Sequence, residues 1–406
     1  MMGWMKHLAA TRVMLPGAPR RAVLAAGFAT TLLMAAACGN GSVSSSTGVS
    51  GKEIKIGATL PLTGPAAAVG VAVRQGLDAS VASVNAHGGI NGRKLKGYWE
   101  DDQYNPAVTN GKVQKLINND RIFAFVGFAG YSQLLAVKQQ IDRAKVPVIG
   151  PVATGTKVND PPQTYIFPVV ANDTAETHQM VDTLVDRQVP ASEIGIVYVQ
   201  NDFGQGLLDN ATAYLKSKHS TTPKAVVGVQ AGASSVSAEV SKLKSSGAKG
   251  ILVMLTDGDA ASFLREAQRQ GLGAQMIVSA GATSQKFLDL TGKSSEGVLG
   301  AGKLPVATDA GNPAVAQYQA DMKKYQPGAA FSYYSLLAWT SVHAFAKAAE
   351  QAGDDLTRQG LIKALETWKN QKVGASAPLT FGPGNRTATN VEEILQVKNG
   401  VWTTAS

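Results

Sequence analysis

Cysteine is almost absent: Cys38 is the single one among 406 residues. An intrachain disulfide and a cysteine-based zinc site are therefore excluded. Histidine is sparse as well, with five scattered residues (His7, His87, His178, His219, His343) and no HExxH or comparable ligand spacing. Each reads as a surface or satisfied core residue, and no metal centre is expected. Charged residues make up only 17%, against about 25% in ordinary globular chains. With 44% hydrophobic residues, a disordered polyelectrolyte is excluded and there is apolar material for real cores. The formal net charge is +9, but no basic run accompanies it, so nothing marks a nucleic-acid face. Also missing are a GxGxxG opening the first strand–helix unit, a GxxxxGK[ST] phosphate loop and a GxSxG elbow, the usual marks of nucleotide or acyl-transfer enzymes. The Gly127-Phe128-Ala129-Gly130 pair is too short for a dinucleotide site. Asp101-Asp102 lies on a strand, where neighbours point to opposite faces, and reads as a solvated strand end. No catalytic residue and no cofactor are expected.

What is present begins with an address. A basic stretch ending in Arg20-Arg21 precedes an uncharged apolar run from Ala22 to Ala37. That run is shorter than the roughly 20 residues of a bilayer-spanning helix and long enough for the roughly 7–15 of a secretory signal. The small residues Ala35-Ala36-Ala37 then lead directly to Cys38, which makes a spanning anchor with an incidental cysteine the weaker reading. The segment resembles a bacterial lipoprotein signal. That implies a signal peptide over residues 1–37 and lipid on Cys38, where two acyl chains give a stable anchor. Residues 38–52 read as a flexible Gly/Ser tether.

Beyond the tether, short apolar strands alternate with helices, the pattern of an α/β fold with largely parallel sheets. Strands are expected at 54–60, 95–101, 122–126 and 147–149. After about Asn172 the alternation starts again, with strands at 194–200, 225–229, 250–255 and 275–279 and a helix from Gly206 to Lys218. Longer helices at 313–325, 331–351 and 357–368 and a strand-rich end at 394–402 complete the chain.

Four segments carry a family resemblance: Lys55-Ile56-Gly57 through Pro61-Leu62-Thr63-Gly64-Pro65; Asn85-Ala86-His87-Gly88-Gly89-Ile90-Asn91-Gly92-Arg93-Lys94; Asp101-Asp102 with Asn105-Pro106-Ala107; and Pro147-Val148-Ile149-Gly150-Pro151 with Ala153-Thr154. With Asn201-Asp202-Phe203-Gly204-Gln205-Gly206 and Phe263-Leu264-Arg265-Glu266-Ala267, they resemble the leucine/isoleucine/valine-binding branch of periplasmic solute-binding proteins. The resemblance spans about residues 53–402. It implies a type I fold of two Rossmann-like lobes joined by crossover hinge segments, one lobe from 53–171 with 304–378 and the other from 172–303 with 379–406. It further implies a solute trapped by hinge closure, delivery to an ABC permease, and a monomer held by its lipid at the outer face of the cytoplasmic membrane.

On that resemblance the solute's carboxylate end meets Tyr131 and Ser132 after one strand, and Val152, Ala153 and Thr154 after the next. Ser132 and Thr154 would donate hydroxyls there, or act only as helix N-caps. Phe203 and Phe331 correspond to aromatic cleft walls, or else to core residues. Thr256 ranks as a ligand contact above its neighbour Asp257, which reads first as an N-cap. This chain also departs from the family: Val69 stands for an aromatic, Thr256 for a tyrosine, and Ala280 for the acid that pairs with an amino acid's ammonium. A buried ammonium without a counter-charge is expensive. An organic acid, aromatic acid, amide or keto acid is therefore expected as ligand, unless Asp257 or Asp173 supplies the charge. The leading reading is an importer's solute-binding lipoprotein for hydrophobic amino acids or related small carboxylates. A ligand-sensing ectodomain and a secreted Rossmann-like enzyme are the alternatives.

Overall fold

The computed structural model describes residues 46–153, 155–159, 161–390 and 393–405. Residues 1–37, read from sequence as a signal peptide, Cys38 and Thr154 lie outside them. Apolar runs set the strands. In the first half these are β1 (Glu53–Leu60), β2 (Lys94–Asp101), β3 (Ala124–Val126), β4 (Val148–Ile149) and β5 (Ile166–Phe167), all parallel, in the order β2-β1-β3-β4-β5. The second half adds β6 (Ile194–Val199), β7 (Val226–Val229), β8 (Gly250–Met254), β9 (Gln275–Val278) and β10 (Leu299–Gly302). Their parallel order, β7-β6-β8-β9-β10, repeats the same winding. The sequences IGIVYV in β6 and GILVM in β8 are buried almost throughout, as parallel strands covered on both faces must be.

A hairpin of β11 (Thr380–Gly382) and β12 (Asn385–Ala388) stands apart, while β13 (Glu393–Lys398) and β14 (Val401–Thr404) extend the second sheet antiparallel beyond β10. The helices of the first half are α1 (Ala67–Ala86), α2 (Pro106–Asn118), α3 (Tyr131–Ala144) and the short α4 (Thr156–Asn159). Those of the second are α5 (Asp173–Asp186), α6 (Asp202–His219), α7 (Ser237–Ser246), α8 (Asp257–Gln270) and α9 (Gln285–Thr291). Finally α10 (Pro313–Tyr325), α11 (Tyr333–Ala352) and α12 (Arg358–Glu366) return to the first lobe. Among the described residues no helix is long and apolar enough to cross a membrane. Each sheet reverses its winding between its first and third strands, β1/β3 and β6/β8, which opens a crevice at their carboxyl ends.

The cores separate the lobes. One joins the first sheet to Leu304, Tyr318, Trp339, Phe345, Trp368 and Phe381. A second first-lobe core is built from residues between Val113 and Ile166, and two more from residues between Met180 and Ala301 with Leu395, Val397 and Trp402. Residues 379–388, expected in the second lobe, belong to the first. Phe381 packs edge-on against Phe167, and buried Arg386 donates to the Gln163 and Thr164 carbonyls and to Glu366. The tether reading also stops short: Val49 bridges Ile54 and is half-buried against the first core, because an apolar residue beside an open sheet end packs on it. The helix expected from Gly206 starts at Asp202. The Asn201 carboxamide accepts from the Gly204 N–H and so caps the helix ahead of Gly204 and Gly206.

Candidate functional site

A cleft of about 910 Å3 lies at the carboxyl ends of both sheets and is lined from both lobes. Its first-lobe wall is the start of α1 (Ala66, Ala67, Ala68, Val69, Val71, Ala72), the β3–α3 turn and the start of α11. This wall presents backbone donors. Helix starts leave N–H groups without intrahelical partners, and most helices here meet some of that need with a side chain: Asn105, Asn172, Asn201, Ser284, Asn312, Ser332 and Thr357 all cap. At α1, α3, α7 and α8 no side chain caps; the starts of α1 and α3 line the cleft from the first lobe and that of α8 from the second. Gly130 sits at the cap position of α3 with φ +107, and a Cβ there would fall 2.3 Å from Gln133 Oε1. Only glycine fits. The turn is pinned to its neighbour by Gly130 N–H to the Val152 carbonyl (3.2 Å) and Val152 N–H to the Phe128 carbonyl (2.8 Å). The glycine pair that carried no nucleotide motif thus shapes the turn at the start of α3.

Val69, Tyr131, Val152, Ala153, Phe203, Thr256, Asp257, Ala280 and Phe331 all line the cleft. Ser132 is not among the lining residues; its hydroxyl donates to Asp202 of the other lobe. Thr154 is outside the described residues. Thr256 occupies the cap position of α8 without a side-chain cap bond and Asp257 the first helical position, so Asp257 is not the N-cap expected from sequence.

Sequence reasoning missed Tyr104, Glu176, Lys303, Tyr333 and Tyr334, which also line the cleft. Tyr104 is presented by a strained turn, Gln103 and Tyr104 both having φ +57. The Asp101-Asp102 pair holds that turn: Asp101 accepts from the N–H groups of Leu62 and Gln103, and buried Asp102 accepts from Tyr104 N–H and the Thr109 hydroxyl. The pair is therefore a turn clamp, and Asp102 is fully buried. Burial, with Asp202 and Asp102 nearby, pushes the Tyr104 phenol up to about 12. Tyr334 of α11 reaches the other lobe, where a Cβ on Gly281 would lie 3.1 Å from its hydroxyl and 3.7 Å from the Phe203 ring.

The second-lobe wall is acidic. Lys303 Nζ lies 2.6 Å from Asp173 and 2.7 Å from Glu176, and the other oxygen of Glu176 accepts from Ala280 N–H at 2.7 Å. The carboxylate absent from position 280 is thus replaced in space by one from α5, already paired with a lysine. Burial raises Glu176, with Lys303 opposing. Asp259 accepts from Gly232 N–H. Asp257 differs, since its Oδ1 is sealed from water with no hydrogen-bond partner. Burial pushes its carboxyl from 3.8 up to about 6, outweighing the pull of Ser284 and Lys286.

A carboxyl whose folded pKa exceeds its unfolded one favours the fold most below the unfolded value, and the contribution is lost as pH rises through the folded pKa. Above about pH 6 the ionised Asp257 costs the ligand-free protein up to about 2–3 kcal/mol. Asp257→Asn is expected to raise its melting temperature by a few degrees near neutral pH and to give little gain near pH 4. A fluorescence melt series over pH checks this; an equal gain at both ends would contradict it.

The periplasmic binding protein family pattern matches residues 53–401. The chain is 26% identical over 322 residues to Leu/Ile/Val-binding protein homolog 3 of Brucella melitensis, covering 78% of this chain and 84% of that one. It is likewise 26% identical over 303 residues to the leucine-, isoleucine-, valine-, threonine-, and alanine-binding protein of Pseudomonas aeruginosa, covering 74% and 79%. Among solved structures, a substrate-binding periplasmic protein from Ralstonia solanacearum superposes with TM-score 0.78 at 22% identity, over 87% of this chain and 100% of that one. A fatty acid ABC transporter substrate-binding protein from Thermomonospora curvata does so with TM-score 0.79 at 24% identity, over 89% and 93%; both agree in fold. A sheet wound twice the same way, a cleft at the two switch points and a family pattern running through both lobes lead to one conclusion: this chain belongs to the periplasmic binding proteins of the type I, leucine/isoleucine/valine-binding kind, a family of exported solute-binding proteins and not a class of enzymes.

Proposed function

We propose that the protein captures a small hydrophobic amino acid, or a related small carboxylate or amide, outside the cytoplasmic membrane and hands it to an ABC permease, tethered through lipid on Cys38. The observation that carries this reading is the opposition of two unlike walls. Helix starts without side-chain caps face the cleft from the first lobe, an acidic wall faces it from the second, and apolar surface lies between. A solute with an anionic end and an apolar body satisfies the first wall by N–H donation and the middle by burial. The names of the Brucella and Pseudomonas relatives support the amino-acid class. Hinge closure fits the cross-lobe contacts of Ser132 with Asp202 and of Tyr334 over Gly281.

The test is a thermal-shift screen of the purified protein with leucine, isoleucine, valine, phenylalanine, their keto acids and their amides. At a concentration about 100 times its Kd, a ligand that binds only the folded state adds about 2.7 kcal/mol, so at least one compound is expected to raise the melting temperature by several degrees. If none moves it, the assignment of solute class fails.

A further inference from the structure

Within the reading above, one residue stands out on the second-lobe wall. The cleft's other carboxylates are committed: Asp173 and Glu176 to Lys303, Glu176 also to the Ala280 N–H, and Asp259 to the Gly232 N–H. Asp257 opens α8 directly beyond β8, at the switch point of the second sheet. Its Oδ1 is buried and accepts nothing. A buried acceptor left unmade costs free energy in the ligand-free protein, and at a cleft wall a ligand donor is what completes it. Ser284 pulls on the carboxyl from nearby but makes no hydrogen bond to Oδ1, and no salt bridge joins Lys286 to Asp257 among the described residues.

We propose that Asp257 receives the ammonium or N–H donor of the bound solute, a role that Ala280 cannot fill. The inference rests on the solute-binding function just proposed and adds to it which end of the solute faces the second lobe. It also reverses the expectation, drawn from Ala280, that amine-bearing solutes are disfavoured: the counter-charge enters from the start of α8 and not from the strand end at Ser279. The carboxylate then lies against the starts of α1 and α3, and the apolar body runs between Val69 and Phe203.

The experiment is calorimetric titration of matched pairs that differ only in the amine, namely leucine with 4-methyl-2-oxopentanoate and phenylalanine with phenylpyruvate, into the wild type and Asp257→Asn. The wild type is expected to bind the amine-bearing member of at least one pair more tightly. Asp257→Asn, nearly the same in shape, is expected to weaken that member about 100-fold and to leave its keto acid unchanged; a cooperative melt confirms that the variant folds. Equal binding of the amine by both proteins, or a wild-type preference for the keto acids, overturns the role given to Asp257 while leaving solute binding intact. Binding of neither member of either pair by the wild type overturns the functional reading and this inference with it.

Discussion

Lys303→Met is expected to destabilise the protein by about 3–5 kcal/mol near neutral pH, the cost typical of removing one partner from a buried ion pair. The Lys303 side chain is 2% exposed, Asp173 6% and Glu176 1%. Burial already disfavours charge on Glu176, and Lys303 is the strongest influence holding it ionised. Without the ammonium, two buried carboxylates face one another, and Glu176 answers by taking up a proton. The loss is therefore expected to shrink on acidification. A carboxyl whose folded pKa has risen costs nothing below its unfolded value and most above its folded one. Urea unfolding followed by tryptophan fluorescence at about pH 8 and pH 5 reads both effects. A loss below about 1 kcal/mol at pH 8 would mean that the cluster is hydrated and that the acidic wall is not the dry surface described. Adding Glu176→Gln to Lys303→Met is expected to recover part of the loss, since it removes the charge the lysine compensated.

Much of the architecture could be read from the chain because parallel strands covered on both faces are written as unbroken apolar runs. Ile194–Val199 and Gly250–Met254 are of this kind. The two-residue strands Val148–Ile149 and Ile166–Phe167 are too short for any period to show. The hairpin at 380–388 was misplaced because its lobe is decided by Arg386, whose partners lie more than 200 positions back. In the site, the turns that bring Tyr131, Val152 and Ala153 to the cleft were legible, since they follow strand ends that carry the family's motifs. The acidic wall was not. Glu176 and Ala280 are 104 positions apart and Lys303 and Asp173 130 apart, so that no spacing rule links them. Asp101-Asp102 misled for a related reason: alternation along a strand predicts which way each carboxylate points, but not that a backbone turn folds back over both.

Gly76→Ala is expected to cost roughly 3 kcal/mol, although the same exchange elsewhere on a helix of this protein should stabilise it. Gly76 lies buried in α1 where that helix meets the start of α11, and a Cβ there would stand 2.1 Å from the Ser335 carbonyl oxygen. The partner is backbone, which cannot turn aside as a side chain end can. The helices must part by about 1 Å, and overpacking of this kind costs up to about 3 kcal/mol or more. Ser335 is itself tied into the cap of α11, its hydroxyl bonded to Tyr318 at 2.6 Å and accepting from Ser332 N–H at 3.2 Å, so the strain spreads to Tyr333 and Tyr334 at the cleft wall. At Gly206 in α6, by contrast, nothing lies within 4 Å of a Cβ. Gly206→Ala should gain about 0.5–1 kcal/mol by restricting the unfolded chain. Paired denaturation curves for the two variants test the packing, and ligand titrations on both test the link to function. If close approach of α1 and α11 sets the first-lobe wall, Gly76→Ala weakens solute binding together with stability, whereas Gly206→Ala raises stability and leaves affinity where it was. Two variants of the same sign would show that the helices give way freely, and the tight α1–α11 contact would then have no part in shaping the cleft.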